Sequence, residues 1–308
     1  MAYSDTATRH AGALERTPSA VLERTPSGVL VLGGIASVQF GSAIAATLFD
    51  RVGPAGTVLL RLTSATLVLL ALWRPRLHGR QRRELLLAAT FGLVLAGMNL
   101  SFYEALHRIP LGIAVTLEFV GPLTVAVAGS RRRIDFAWVT LAAAGIVALT
   151  HGGSQHLSGL GVGLALLAGC LWGTYILVNA RVGRAFEGGV GLALAMCVAT
   201  IVALPVGLAG GGARLLEPHA LAIGAAVGML SSAIPYSLET EALRRIAPSV
   251  FGVLMSLEPA MAAFAGFLVL GQGLGARALL GIGLVVIASL GASRRTRATR
   301  EARAPMQA

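Results

Sequence analysis

Ten apolar runs, separated by polar or charged breaks, make up most of this chain: 28–49, 53–73, 85–106, 109–129, 134–150, 159–180, 188–208, 219–243, 247–270 and 276–292. A hydrocarbon core of about 30 Å takes roughly 20 helical residues at ~1.5 Å each, so runs of this length read as membrane spans. Helices are the expected spanning form. A membrane barrel would need short segments alternating apolar and polar positions, whereas Val58–Trp73 shows no such alternation and carries Arg61 as its one charge. The pattern predicts an all-α membrane protein with ten transmembrane helices.

Composition agrees. Of 308 residues, 55% are hydrophobic and 13% charged, with a mean hydropathy of +0.76. A soluble domain carries about 25% charged residues, so soluble enzymes, disordered tails and nucleic-acid binders are excluded. The net charge of +11 is made entirely of arginine, and the missing lysine removes both the phosphate-cradling P-loop and Schiff-base cofactors from consideration. Cys170 and Cys197 fall in apolar stretches and read as small buried hydrophobes rather than a disulfide or metal pair. The six histidines show no ligand spacing on a helix, so neither a metal nor a cofactor is expected.

The arginines give an orientation, because cytoplasmic loops accumulate them. With the N-terminus inside, 20 arginines fall on the cytoplasmic side and only Arg51, Arg108, Arg214 and Arg277 outside. Both termini are then cytoplasmic, the basic charge is a matter of topology, and no nucleic-acid partner is implied. Residues 1–27 read as a disordered cytoplasmic tail, from which the duplication Glu15–Leu22 and Glu23–Leu30 runs into the first apolar run, and 294–308 read as a basic cytoplasmic tail. Ala43-Ile44-Ala45 resembles a signal cleavage site, but the preceding run is long and nine more follow, so the first helix is expected to stay attached.

Between the tails the chain divides into five-helix halves, 28–150 and 159–293. Glu104–Ile109 matches Glu241–Ile246 at an offset of 137, which also pairs Pro122 with Pro259. Five helices is an odd number, so the second half enters the membrane from the opposite side. Such an inverted repeat is typical of secondary transporters.

Charge inside a membrane is costly and marks a cavity or a partner. Arg61, Glu118 and Glu258 lie about 12, 13 and 18 Å from the outer ends of their helices at ~1.5 Å per residue, a common depth. Arg61 reads either as a bidentate holder of a substrate carboxylate or as half of a structural ion pair with Glu118. Glu118 and Glu258 read as carrying a proton or holding a substrate amine; Glu258, with no obvious partner, is the better proton carrier, and Glu118 is a candidate for both roles. Pro122 removes the helical partner of the Glu118 carbonyl and Pro235 that of the Ser231 carbonyl, while Pro259 is expected to push Glu258 away from helical geometry. These three prolines are the candidate hinges. Gln39, Asn99, Tyr103, Trp172, Tyr175, Ser232 and Tyr236 could line a cavity or simply hydrogen-bond between helices. Trp73 and Trp138 read as interfacial anchors, and Glu104, Glu239 and Glu241, near helix ends, as solvated.

Two sets of residues resemble a known family. Pro110–Leu123 with Ser130–Val139, and Ile234–Glu239 with Phe251–Ala260, are similar to signatures of the threonine/homoserine exporter family, EamA-type members of the drug/metabolite transporter superfamily. The resemblance runs from about Val29 to Ser293 and departs where Leu270-Gly271-Gln272 stands in place of the family's Leu-Gly-Glu. It implies a bacterial inner-membrane exporter of small amino acids, coupled to protons and working by alternating access. The partners it implies are an amino-acid substrate, protons and the lipid bilayer, with homodimerisation left open. Rival readings are an uncoupled facilitator, an exporter of another small metabolite or drug, and a membrane sensor or scaffold. A membrane enzyme lacks any nucleophile–base pair or metal-ligand set in the runs.

Overall fold

A computed structural model of the chain describes residues 25–76, 79–127 and 157–301, and between the last two ranges only 137, 140, 141, 144, 145 and 147. The expected run 134–150, and Trp138 with it, therefore lies largely or wholly outside the described residues. Those residues form helices and connecting turns, with no strand among them. Six helical stretches are long and apolar enough to cross a membrane, and Leu111–Val125, Met255–Leu270 and Ala276–Ala288 are shorter apolar helical segments.

The elements follow from local sequence. Helix α1 is Ser27–Ala46. Helix α2, Phe49–Trp73, is interrupted at Gly53, whose φ of 70° only glycine adopts freely, and restarts at Pro54. Proline costs nothing in a first helical turn, where its missing N–H would be unpaired in any case. Helix α3 is Arg82–Leu106. Next come two short helices, α4 (Leu111–Glu118) and α5 (Val120–Val127), broken at Phe119 directly after the buried carboxylate. Pro122 explains the break, because it has no N–H to return to the Glu118 carbonyl.

In the second half, α6 is Gly159–Ala185 and α7 is Val190–Gly211. The stretch from Pro218 to Arg245 consists of α8 (Pro218–Gly228), a π turn (Met229–Ala233) and α9 (Ile234–Arg245). A π turn ahead of Pro235 leaves backbone carbonyls without a helical partner, and side chains from other helices take them: Ser37 Oγ donates to Leu230 O at 2.6 Å and Arg61 Nη2 to Ser231 O. Helix α10 (Pro248–Leu254) leads through a 3-10 turn, Met255–Leu257, into α11 (Glu258–Leu270). Here the expectation for Pro259 fails. Glu258 keeps helical angles, φ −61° and ψ −43°, because Pro259 occupies the first turn of α11 and the irregular backbone lies one step earlier. Helix α12, Ala276–Glu301, continues past the expected end at 292.

Helix α2 packs on α7, α3 on α6 and α7, α1 on α9 and α11, and α4 on α6 and α11. Glycine permits the tightest of these contacts. A Cβ on Gly169 would lie 2.6 Å from the Glu118 carbonyl oxygen, so α6 approaches the α4–α5 break backbone to backbone. The interior holds Tyr103, Tyr175, Phe91 and Phe119 fully buried, while Ile201, Leu204, Val206 and Leu208 of α7 face outward, as suits a lipid-facing surface. Cys170 is exposed and Cys197 half-buried, which corrects their reading as buried residues. Trp73 is half-buried with its ring against Gly188 and Gly189, at the α6–α7 turn.

Candidate functional site

A small polar-lined cavity of about 40 Å³ lies inside the bundle. Its polar lining is Gln39 and Ser42 from α1, Arg61 from α2, Asn99 from α3, Glu118 from α4, Trp172 from α6, Tyr236 and Glu239 from α9, and Glu258 from α11. Val38, Met98 and Phe102 supply apolar walls. The three charges singled out by depth in the sequence thus meet at one space.

Arg61, 2% exposed, is held from three directions. Its Nε donates to Ser232 Oγ at 2.7 Å, Nη1 to the Tyr103 hydroxyl at 2.8 Å, and Nη2 to the Ser231 carbonyl and to the Tyr236 hydroxyl at 3.0 Å. The guanidinium carbon also lies 5.2 Å from the centre of the Tyr103 ring. A guanidinium has five N–H groups, and four are committed here. Both sequence readings of Arg61 change as a result. No ion pair joins it to Glu118, since the described ion pairs, Arg51–Glu217, Arg80–Glu84, Arg108–Glu104 and Glu241 with Arg244 and Arg245, avoid the cavity. Nor can it offer a bidentate fork to a carboxylate without releasing protein partners. Its arrangement ties α2 and α3 to the π turn.

Tyr103 and Tyr175 do not line the cavity; both are fully buried behind it. Tyr103 supports Arg61. Tyr175 donates to Glu239 Oε2 at 2.7 Å and accepts from Asn179 Nδ2 at 3.0 Å, while Asn179 Oδ1 accepts from Thr240 Oγ1 at 3.0 Å. Glu239 is therefore a buried cavity carboxylate, 4% exposed, and not the solvated helix-end residue expected. Glu239 and Thr240 follow Tyr236 by three and four residues on α9, and the i, i+3 spacing of Tyr236 and Glu239 was the signal that places them on one face. Glu104 and Glu241 do pair with arginines at helix ends.

Gln39 Nε2 donates to Glu258 Oε1 at 2.9 Å, so Glu258 has the partner that the sequence could not supply. The remaining oxygens of this pair, Glu258 Oε2 and Gln39 Oε1, are buried and unpartnered. Asn99 donates to the Leu95 carbonyl at 2.8 Å and to the Tyr236 hydroxyl at 3.2 Å. Pro122 and Pro235 stand beside the α4–α5 break and the π turn respectively, and Pro259 opens α11. Among the described residues no group of three His, Cys, Asp or Glu side chains could hold a metal.

Similarity to known proteins follows this geometry. Residues 159–294 match the EamA-like transporter family. The chain is 42% identical over 269 residues to the threonine/homoserine exporter RhtA of Escherichia coli (strain K12), covering 86% of this chain and 90% of that protein. The same identity and coverage hold for the threonine/homoserine exporter RhtA of Salmonella typhimurium (strain LT2). A crystal structure at 19% identity shares the fold with a TM-score of 0.63, over 87% of this chain and 98% of that one.

Proposed function

Because the chain belongs to the threonine/homoserine exporter family of EamA-like transporters, we propose that it exports small amino acids such as threonine or homoserine by proton-coupled alternating access. It is a multi-pass protein of the bacterial inner membrane and a transporter rather than an enzyme. The observation that carries the proposal is the cavity, to which both halves of the chain contribute ionisable side chains: Arg61 and Glu118 from one, Glu239 and Glu258 from the other.

The proposed architecture is ten spans in two inverted five-helix repeats with both termini cytoplasmic. Six long helices, three shorter apolar segments and the run 134–150 support the number. A contact supports the symmetry: Asn99 and Tyr236, 137 residues apart, hydrogen-bond to one another, and residues that match by a repeat and also touch lie at its axis. Alternating access is then the rocking of one half against the other about this cavity, with the breaks at Phe119 and the Met229–Ala233 turn as the yielding points.

In this reading Glu258 carries the coupling proton. Its unpartnered Oε2 and the unpartnered Gln39 Oε1 are both acceptors, so a proton on the carboxyl supplies the donor the pair lacks. Glu118 is the second coupling group, and Arg61 holds the cavity's shape and fixed positive charge. Purified protein in liposomes should move labelled threonine against its gradient when a pH gradient is imposed. Glu258→Gln should abolish that accumulation and leave downhill exchange. An uncoupled facilitator would equilibrate threonine in both preparations without accumulation.

A further inference from the structure

Hydrogen-bonding capacity in the cavity is lopsided. On the donor side, Arg61 has four N–H groups committed to protein, the Asn99 amide nitrogen serves Leu95 O and Tyr236, and Gln39 Nε2 serves Glu258, which leaves the Ser42 hydroxyl and the Trp172 N–H, both neutral, as the other lining donors. On the acceptor side, Glu258 Oε2 and Gln39 Oε1 are buried and unpartnered. Glu118 is 8% exposed, lines the cavity, and has no hydrogen-bond donor on its carboxylate among the described residues. Glu239 has Oε2 fixed by Tyr175, which leaves Oε1 for a ligand. Three carboxyl groups thus surround a space whose single guanidinium is already occupied. An unmet acceptor in a low-dielectric site is expensive, and the ligand group that meets several of them best is one with many N–H donors and a positive charge.

We propose that the cavity grips its ligand by a primary ammonium group, with Glu118 and Glu239 as the receiving carboxylates, and that a carboxylate on the ligand is dispensable. The ligand class is the primary amine of amino-acid size, including amino acids whose carboxyl is blocked. Glu239 is the specificity-determining residue, and the buried chain Thr240–Asn179–Tyr175 fixes its orientation before a ligand arrives. The proposal deepens the transport reading by naming which end of the substrate is recognised, and rests on that reading only in taking this cavity as the binding site.

Binding to the purified full chain in detergent, followed by the ligand-induced rise in apparent Tm, tests it without a transport assay. Three probes suffice: threonine, threoninamide and 2,3-dihydroxybutanoate, which is threonine with a hydroxyl in place of the amine. Threoninamide should half-saturate within about threefold of threonine, and the hydroxy acid at least about 100-fold higher, as expected when a site's charged partners are left unpaired. Glu239→Gln should weaken threoninamide about tenfold or more, in line with loss of a charge-assisted bond. Tyr175→Phe should do so less, with the carboxylate retained. Comparable binding of the hydroxy acid and threonine would overturn the proposal, as would threonine binding without threoninamide, or no binding by either amine. If the amines bind while threonine is not exported from liposomes, the transport reading fails and this inference stands.

Discussion

Removing the Tyr103 hydroxyl should have opposite consequences depending on whether Arg61 is present. In the native protein the hydroxyl accepts from Arg61 Nη1 at 2.8 Å, and both residues are buried. Tyr103→Phe keeps the ring and its stacking beneath the guanidinium and deletes only that acceptor, which for a bond to a charged group costs about 1.5–3 kcal/mol. Arg61→Met is destabilising in its own right. It strands the Ser231 carbonyl, which Pro235 cannot serve, at about 1–3 kcal/mol for a buried unmet group, although part is recovered because a buried charge is gone. In that background the Tyr103 hydroxyl has lost its donor, so Tyr103→Phe becomes neutral or mildly stabilising. The expected coupling energy is about 1.5–3 kcal/mol. Equilibrium unfolding by SDS titration in mixed micelles, on the four proteins of the cycle, measures it. Equal costs of Tyr103→Phe in both backgrounds, within the ~0.5 kcal/mol scatter of independent sites, would refute the arrangement described for Arg61.

Other expectations are as direct. Gly169→Ala puts a Cβ 2.6 Å from the Glu118 carbonyl oxygen and about 3.1 Å from its backbone carbons, so α6 must move away; overpacking of this kind costs about 1–3 kcal/mol and should lower the apparent Tm. Gly163→Ala, on the same helix with nothing within 4 Å of the new methyl, is the control and should be neutral or stabilising by about 0.4–1 kcal/mol. Gln272 Oε1 accepts from Leu111 N–H at 3.1 Å at the start of α4, so Gln272→Glu should strengthen this contact by about 0.3–1 kcal/mol at neutral pH through the helix dipole, an increase that salt diminishes. Unchanged unfolding free energy in Gln272→Glu would remove the contact from the account.

Much of the site was legible because charges are conspicuous in apolar runs. Arg61, Glu118 and Glu258 could be found from depth alone, and Pro122 and Pro235 marked the irregular backbone. Sequence also indicated that the Ser231 carbonyl would be freed, but not that a side chain 170 residues away would take it. Glu239 was missed because it stands among polar neighbours, Ser237, Thr240 and Glu241, near two arginines, where local composition resembles a helix leaving the membrane. What buries it is tertiary: Tyr175 and Asn179 of α6 reach across to that face of α9. Tyr103 and Tyr175 illustrate a related limit, since helical periodicity identifies an inward face without separating residues at a cavity wall from those one layer behind.

On the proposed reading, substrate passes through the space between Gln39, Arg61, Glu118, Glu239 and Glu258. Val38, half-buried and lining that space, makes none of the polar contacts described, so enlarging it fills the space directly. Threonine flux into proteoliposomes containing Val38→Trp, at native protein density and with unchanged apparent Tm, is the most direct measurement. Flux should fall to the level of empty liposomes, and flux equal to that of the unmodified protein would rule out this route.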